Sequence, residues 1–171
     1  MALTKHQYEE YDIDDLTLPM TSSICITSIA KLLGIETLPI LMPLINEHIT
    51  SQDWKFQEAS IMALSAILEN PTNAIYEVII QAIPVLLNML QNHSKIAVRD
   101  SAAWTLGRIV KFHPHPVYPH AQQILNIIGN FILNKGPPRI VSNCCWMILS
   151  FCVNFPGTTN PILPYYEKVK K

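Results

Sequence analysis

Glycine is scarce in this chain, five residues in 171. No glycine-rich phosphate loop of either common spacing is present. The long apolar-periodic stretches suit helices better than hairpins, which lean on glycine in their turns. Acidic residues are scarce too, but only in one half. Residues 101–171 hold a single acid, Glu167, against seven lysines and arginines, whereas residues 9–100 hold twelve acids against four bases. A net charge of −1 argues against a nucleic-acid binder. The asymmetry leaves two readings open, a charged partner at the acidic end or solvated helix faces. Cysteine is sparse, and Cys25, Cys144, Cys145 and Cys152 lack zinc spacing. With no secretory signal opening the chain, they read as buried, reduced thiols of an intracellular protein. Each apolar run is interrupted by Lys, Glu, Asn or Pro, so no membrane insertion is expected.

Catalytic signatures are missing as well. There is no H-E-x-x-H and no nucleophile elbow, so the chain reads as a non-enzyme without a cofactor. The stretch HPHPVYPH (113–120) gathers His113, His115 and His120, but its prolines point to an extended loop. No carboxylate or thiolate is near it in sequence, and no metal site is assigned.

What the chain has in quantity is apolar helical pattern, with 49% hydrophobic residues. Shifted by 42 positions, SQDWKFQEASIMALSAIL (51–68) meets HSKIAVRDSAAWTLGRIV (93–110), and a second such shift reaches KGPPRIVSNCCWMILSFC (135–152). Phe56, Val98 and Ile140 align, as do Leu64, Leu106 and Ile148, and Trp104 meets Trp146. Each of these helices follows another: TLPILMPLINEHI (37–49), YEVIIQAIPVLLNML (76–90) and HAQQILNIIGNFIL (120–133). Pro43 and Pro84 sit at equivalent places inside the pattern, marking a kink or a first turn. Two helices per unit of about 40 residues is the signature of HEAT or armadillo repeats. With SSICITSIAKLL (22–33) as the second helix of a preceding unit, the expected fold is an all-α HEAT/armadillo-type α-solenoid of about three and a half helix pairs. The repeats are placed at 20–153, between an acidic loop or tail (1–19) and a proline-containing C-terminal tail (154–171). Neither end reads as the polar capping repeat a free-standing solenoid uses.

One residue does not fit the core pattern. On the helix VRDSAAWTLGRI (98–109), Val98, Ala102, Thr105, Leu106 and Ile109 share the apolar face. Trp104 points the other way, among Asp100, Gly107, Arg108 and Lys111. Glu58, Glu69 and Asp100 fall on that same predicted inner face. A carboxylate there serves either a ligand or an Asp–Arg ladder between repeats, with Arg99 or Arg108 as partner. Trp54, near a helix start, reads as packing.

The stretches INEHITSQDWKFQEASIMALSAILENP (45–71), VIIQAIPVLLNMLQNHSKIAVRDSAAWTLGRI (78–109) and PRIVSNCCWMILSF (138–151) resemble the importin-beta (karyopherin-beta) nuclear transport receptors. The similarity runs from about Asp14 to Phe155. It implies the middle of such a receptor, about HEAT repeats eight to eleven, with the second helix of each pair on the inner surface. It further implies nuclear import by binding a basic helical segment of an importin-alpha-like adaptor, or a basic cargo, on the concave face. Trp146, in its Ser142–Asn143 context, inherits that binding role from the match, and Trp104 inherits it by geometry; Arg or Lys over an indole gains roughly 0.5–2 kcal/mol. EEYDIDD (9–15), with Glu9, Glu10, Asp12, Asp14 and Asp15, stands where the family carries an acidic loop. It is broken by Tyr11 and Ile13, and Leu16 stands in place of the family's tryptophan. Ran-GTP-driven release is implied only in a full-length context, and the repeats that bind Phe-Gly nucleoporins are largely absent. The implied location is cytoplasm and nucleus, with passage through the pore. The alternative is a generic HEAT scaffold, or self-association through two uncapped ends.

Overall fold

A computed structural model describes residues 18–69 and 73–155. They divide into two compact units, with the boundary between Thr72 and Asn73.

In the first unit, helix α1 (Leu18–Leu33) carries Pro19 in its first turn, where a missing N–H breaks no helical bond. It stops at Gly34, whose φ of 59° is the left-handed conformation that glycine adopts without a Cβ clash. A single 3-10 turn follows (Gly34–Thr37), closed by the Thr37 hydroxyl donating to the Gly34 carbonyl. Helix α2 (Leu38–His48) carries Pro39 in its first turn and contains Pro43. Helix α3 (Trp54–Ile67) is capped by Asp53, whose carboxylate accepts from the Lys55 amide at 3.0 Å. Both α1 and α2 pack on α3, and Lys31 Nζ lies 2.6 Å from Glu69 Oε2.

The second unit contains α4 (Asn73–Asn92), α5 (Ile96–Phe112), a single turn α6 (Pro114–Val117), a 3-10 turn (Tyr118–His120), α7 (Ala121–Leu133) and α8 (Pro138–Asn154). Helices α5 and α8 lie side by side, with α4 packed on α5 and α7 on α8. The core between these layers is formed by Ile79, Ile83, Leu86 and Leu90 of α4, Val98, Leu106 and Ile109 of α5, Ile124 and Ile128 of α7, and Ile140, Met147 and Phe151 of α8. Each such side chain contributes roughly 1.5–3 kcal/mol through burial. Ala102, Ala103 and Gly107 on α5 are buried too, and their small size lets the helices approach closely. With α1 as a half-unit and α2/α3, α4/α5 and α7/α8 as pairs, the fold is all-α and of the HEAT-type solenoid class.

Four expectations change. HPHPVYPH is helical rather than extended, because Pro114 and Pro119 occupy first-turn positions of short helical segments, where a fixed φ suits the turn. Of the four cysteines only Cys144 is buried; Cys25, Cys145 and Cys152 are exposed, since they lie off the packed faces of α1 and α8. The first helix begins at Leu18, inside the stretch read as tail. Finally, Thr21–His48 and Ala74–Asn92 are long and apolar enough to cross a membrane by length and composition alone, because the polar and proline residues that interrupt them are few. The first of these stretches turns at Gly34, and the second is α4, whose Ile79, Ile83, Leu86 and Leu90 lie in the core.

Candidate functional site

On α5, Asp100, Trp104 and Arg108 recur every four residues and so form one stripe. On α8, Arg139, Asn143 and Trp146 form another. Packing of α5 on α8 brings the two stripes together. The indoles of Trp104 and Trp146 stack, with ring centroids 4.9 Å apart and planes 21° from parallel. Trp104 is 43% exposed, and Trp146 is half-buried.

The stack depends on Gly107. A Cβ at that position would stand 2.5 Å from Cζ3 and 2.7 Å from Cε3 of Trp146, far inside van der Waals contact. The bare backbone of α5 is therefore the seat of the Trp146 ring. Lys111 follows one turn later, its ammonium 5.9 Å from the Trp146 ring centroid and 5.0 Å from that of Phe112.

A polar clamp closes the other end of the stripe. Asn143 Nδ2 donates to Asp100 Oδ1 at 2.8 Å, and Arg139 Nη2 lies 3.2 Å from Asp100 Oδ2. The Asp100 side chain is only 14% exposed, whereas that of Arg139 is 49% exposed. Burial pushes the Asp100 carboxyl above its ordinary range, opposed by the Arg139 charge and the Asn143 hydrogen bond. An Asp–Arg ladder thus links consecutive repeats, but its arginine is Arg139. Arg99 instead donates to the Leu90 carbonyl at 3.1 Å and lies over Phe131, and the Arg108 guanidinium lies 5.5 Å from the Phe112 ring. Arg139 stands in the first turn of α8, and its long side chain reaches forward to Asp100. A second cross-helix bond runs from Asn154 Nδ2 to the Val110 carbonyl at 3.2 Å.

The remaining candidates lie elsewhere. Glu58 and Glu69 belong to the first unit. Glu58 is buried at 7% exposure, and Glu69 is ion-paired with Lys31. Trp54 is half-buried at the start of α3, with the Lys55 ammonium 5.8 Å from its ring. Glu9, Glu10, Asp12, Asp14 and Asp15 lie outside the described residues. His113 is buried edge-on to Tyr76 at 5.6 Å, and among the described residues no group of three or more His, Cys, Asp or Glu is placed to hold a metal ion. Two contributors escaped the sequence reading. Gly107 was detectable as an isolated glycine inside a helical pattern, a position that commonly has a packing cause. Arg139 carried no such mark, because the 42-residue register sets it against Ala97, which has no charge to suggest a pairing with Asp100.

A model of the HEAT-like repeat family matches residues 54–109. Importin subunit beta-1 of Schizosaccharomyces pombe is 30% identical over 99% of this chain and 20% of its own length. Importin subunit beta-1 of Arabidopsis thaliana is 27% identical over 96% of the chain and 20% of its own length. A solved structure of yeast importin-beta (Kap95p) superposes with a TM-score of 0.84 at 25% identity, covering 98% of this chain and 20% of that one. The chain therefore spans about one fifth of the length of the relatives it matches. Helix pairs at a 42-residue period, an aromatic and Asp–Arg seam between consecutive second helices, and homology to importin subunit beta-1 along nearly the whole chain agree: the chain fits the central HEAT-repeat segment of the importin-beta family.

Proposed function

We propose that this chain is the docking segment of a nuclear transport receptor, taking a helical adaptor or cargo segment on the surface formed by α5 and α8. The observation that carries the reading is the half-exposed Trp104–Trp146 stack, which spans two consecutive repeats. Large aromatics at such positions concentrate binding energy, because they bury much apolar area at little entropic cost. The ligand implied by the resemblance is a basic importin-beta-binding segment of an importin-alpha-like adaptor, or a basic cargo. Of that binding mode, the aromatic part has the stronger support. The carboxylates expected to meet a basic ligand are buried (Glu58), paired with Lys31 (Glu69) or clamped by Arg139 and Asn143 (Asp100). Ran-GTP-dependent release belongs to the full-length receptor, as does passage between cytoplasm and nucleus through the pore.

Fluorescence anisotropy of a labelled basic helical segment, titrated with wild type and with Trp104→Ala, tests the reading. Binding that weakens in the variant supports it, and no binding by folded wild type overturns it for the basic ligand. A second reading is a scaffold or self-association module. It draws on the exposed apolar residues Leu149 and Val153 of α8 and Ile24, Ile29 and Leu32 of α1. Concentration-dependent dimers in size-exclusion chromatography with light scattering, together with loss of peptide binding, are its signature.

A further inference from the structure

Two second helices, one in each unit, carry an apolar face that lies in water. On α5, the positions turned towards α8 include Gly107, which seats the Trp146 ring, and Val110, whose carbonyl accepts from Asn154. Both are buried. The 42-residue register places Leu149 and Cys152 of α8 at the same points, and Cys145 at the point of the buried Ala103. There the burial is reversed. Leu149 is 61% exposed, and Cys145, Cys152 and the neighbouring Val153 are exposed as well. Helix α8 therefore repeats the surface on which a further second helix packs, and leaves it in water.

Helix α1 of the first unit carries the reciprocal surface. One side of it packs on α3, whereas Ile24, Cys25, Ile29 and Leu32 are exposed, Leu32 at 86%. Neither stripe contains a charged side chain. Lys31, the one charged residue of α1, is paired with Glu69. Ser28 lies within the α1 stripe, but its hydroxyl donates to the Ile24 carbonyl at 3.1 Å, so covering it strands no donor. Thiols act as small apolar groups in such a contact. Apolar faces of this extent mark interaction surfaces, and in helical repeats an end without a polar cap is one.

From these two faces we infer that α8 of one copy receives α1 of a second copy, continuing between chains the packing that joins α5 to α8 within one. The inference rests on the self-association reading above and deepens it, naming the partner as this chain and the contact as head to tail. A second copy is the occupant because one chain carries both halves of the contact. Each half also extends a packing that its own unit already contains, α1 on α3 and α8 on α5. Such a contact is heterologous, using a different patch on each partner. Every added copy therefore offers a fresh face, and assembly does not saturate at two.

The test is size-exclusion chromatography with light scattering on the full chain, from dilute to concentrated, in reducing buffer. The mass is expected to rise with concentration and to pass that of two copies. Leu149→Lys and Leu32→Lys, at exposed positions whose change spares the core, each place a charge inside the contact. Either alone is expected to weaken association roughly tenfold or more, with circular dichroism reporting that the variant is folded. Mixed in equal amounts, the two variants restore one intact contact, α8 of Leu32→Lys against α1 of Leu149→Lys. They are expected to form a mixed pair that grows no further. In the concentrated wild-type chain, Cys25 and Cys145 are expected to react with maleimide more slowly than in the dilute chain. Association that stops at two copies, undiminished association of either variant alone, or variants that do not pair when mixed overturns the head-to-tail contact and leaves self-association standing. A rising mass with unchanged cysteine reactivity does the same. A single copy at every concentration overturns the self-association reading and the inference with it.

Discussion

Removing the Asp100 side chain separates the clamp's shape from its charge. Asp100→Ala takes away the acceptor for Asn143 and the counter-charge for Arg139 together. Hydrogen bonds to a charged, largely buried acceptor contribute about 1.5–3 kcal/mol, and part of that is returned when the carboxylate no longer has to be desolvated. A net loss of about 2 kcal/mol is expected, which for a chain of this size lowers Tm by roughly 4–8 °C. Asp100→Asn keeps the outline and the Oδ1 acceptor. Arg139 is half in water and can rehydrate, so the loss stays within about 1 kcal/mol. The two variants also differ from wild type in pH dependence. Because burial raises the Asp100 pKa, the folded state holds that proton to higher pH than the unfolded chain does. The stability contributed by this group is fully present below the ordinary carboxylate pKa and is lost as pH rises through the raised, folded value. Asp100→Asn removes that part of the pH slope. Thermal unfolding followed by circular dichroism across the acid range, at fixed salt, measures both effects. If Asp100→Asn costs as much as Asp100→Ala, or if Asp100→Ala costs nothing, the clamp does not hold the repeats together as described.

Two further outcomes follow from the packing. Gly107→Ala would ordinarily strengthen a helix by about 1 kcal/mol, but the new methyl meets the Trp146 ring, and overpacking of about 1–3 kcal/mol cancels the gain. The coupled indole signal in the far-ultraviolet circular dichroism is expected to collapse in that variant; an unchanged signal would refute the seat assigned to Gly107. Maleimide labelling of the native chain is expected to modify Cys25, Cys145 and Cys152 while sparing Cys144, which is buried and whose thiol pKa is pushed up to about 12. Mass spectrometry counts the adducts, and native labelling of Cys144 would contradict the packing of α8.

The sequence alone determined the helices, their pairing and their period, because an amphipathic helix records its buried face as a 3.6-residue pattern and a repeat writes that pattern again 42 residues later. It also marked Trp104, an aromatic on a polar face. What it left open depends on contacts between residues far apart in the chain. Asp100 is as well placed for a ligand as for a clamp until α8 brings Arg139 and Asn143 against it. Glu58 shares the helical angle of Trp104 yet is buried. Gly107 becomes the seat of an indole only when α8 lies across it. The prolines of HPHPVYPH read as breakers because sequence shows that they cannot continue a helix, but not that they start one. Local periodicity follows from backbone geometry and burial of one face, so it is visible in a single chain. Partner choice among polar side chains is decided by helix packing, which brings together groups that the sequence keeps about forty residues apart.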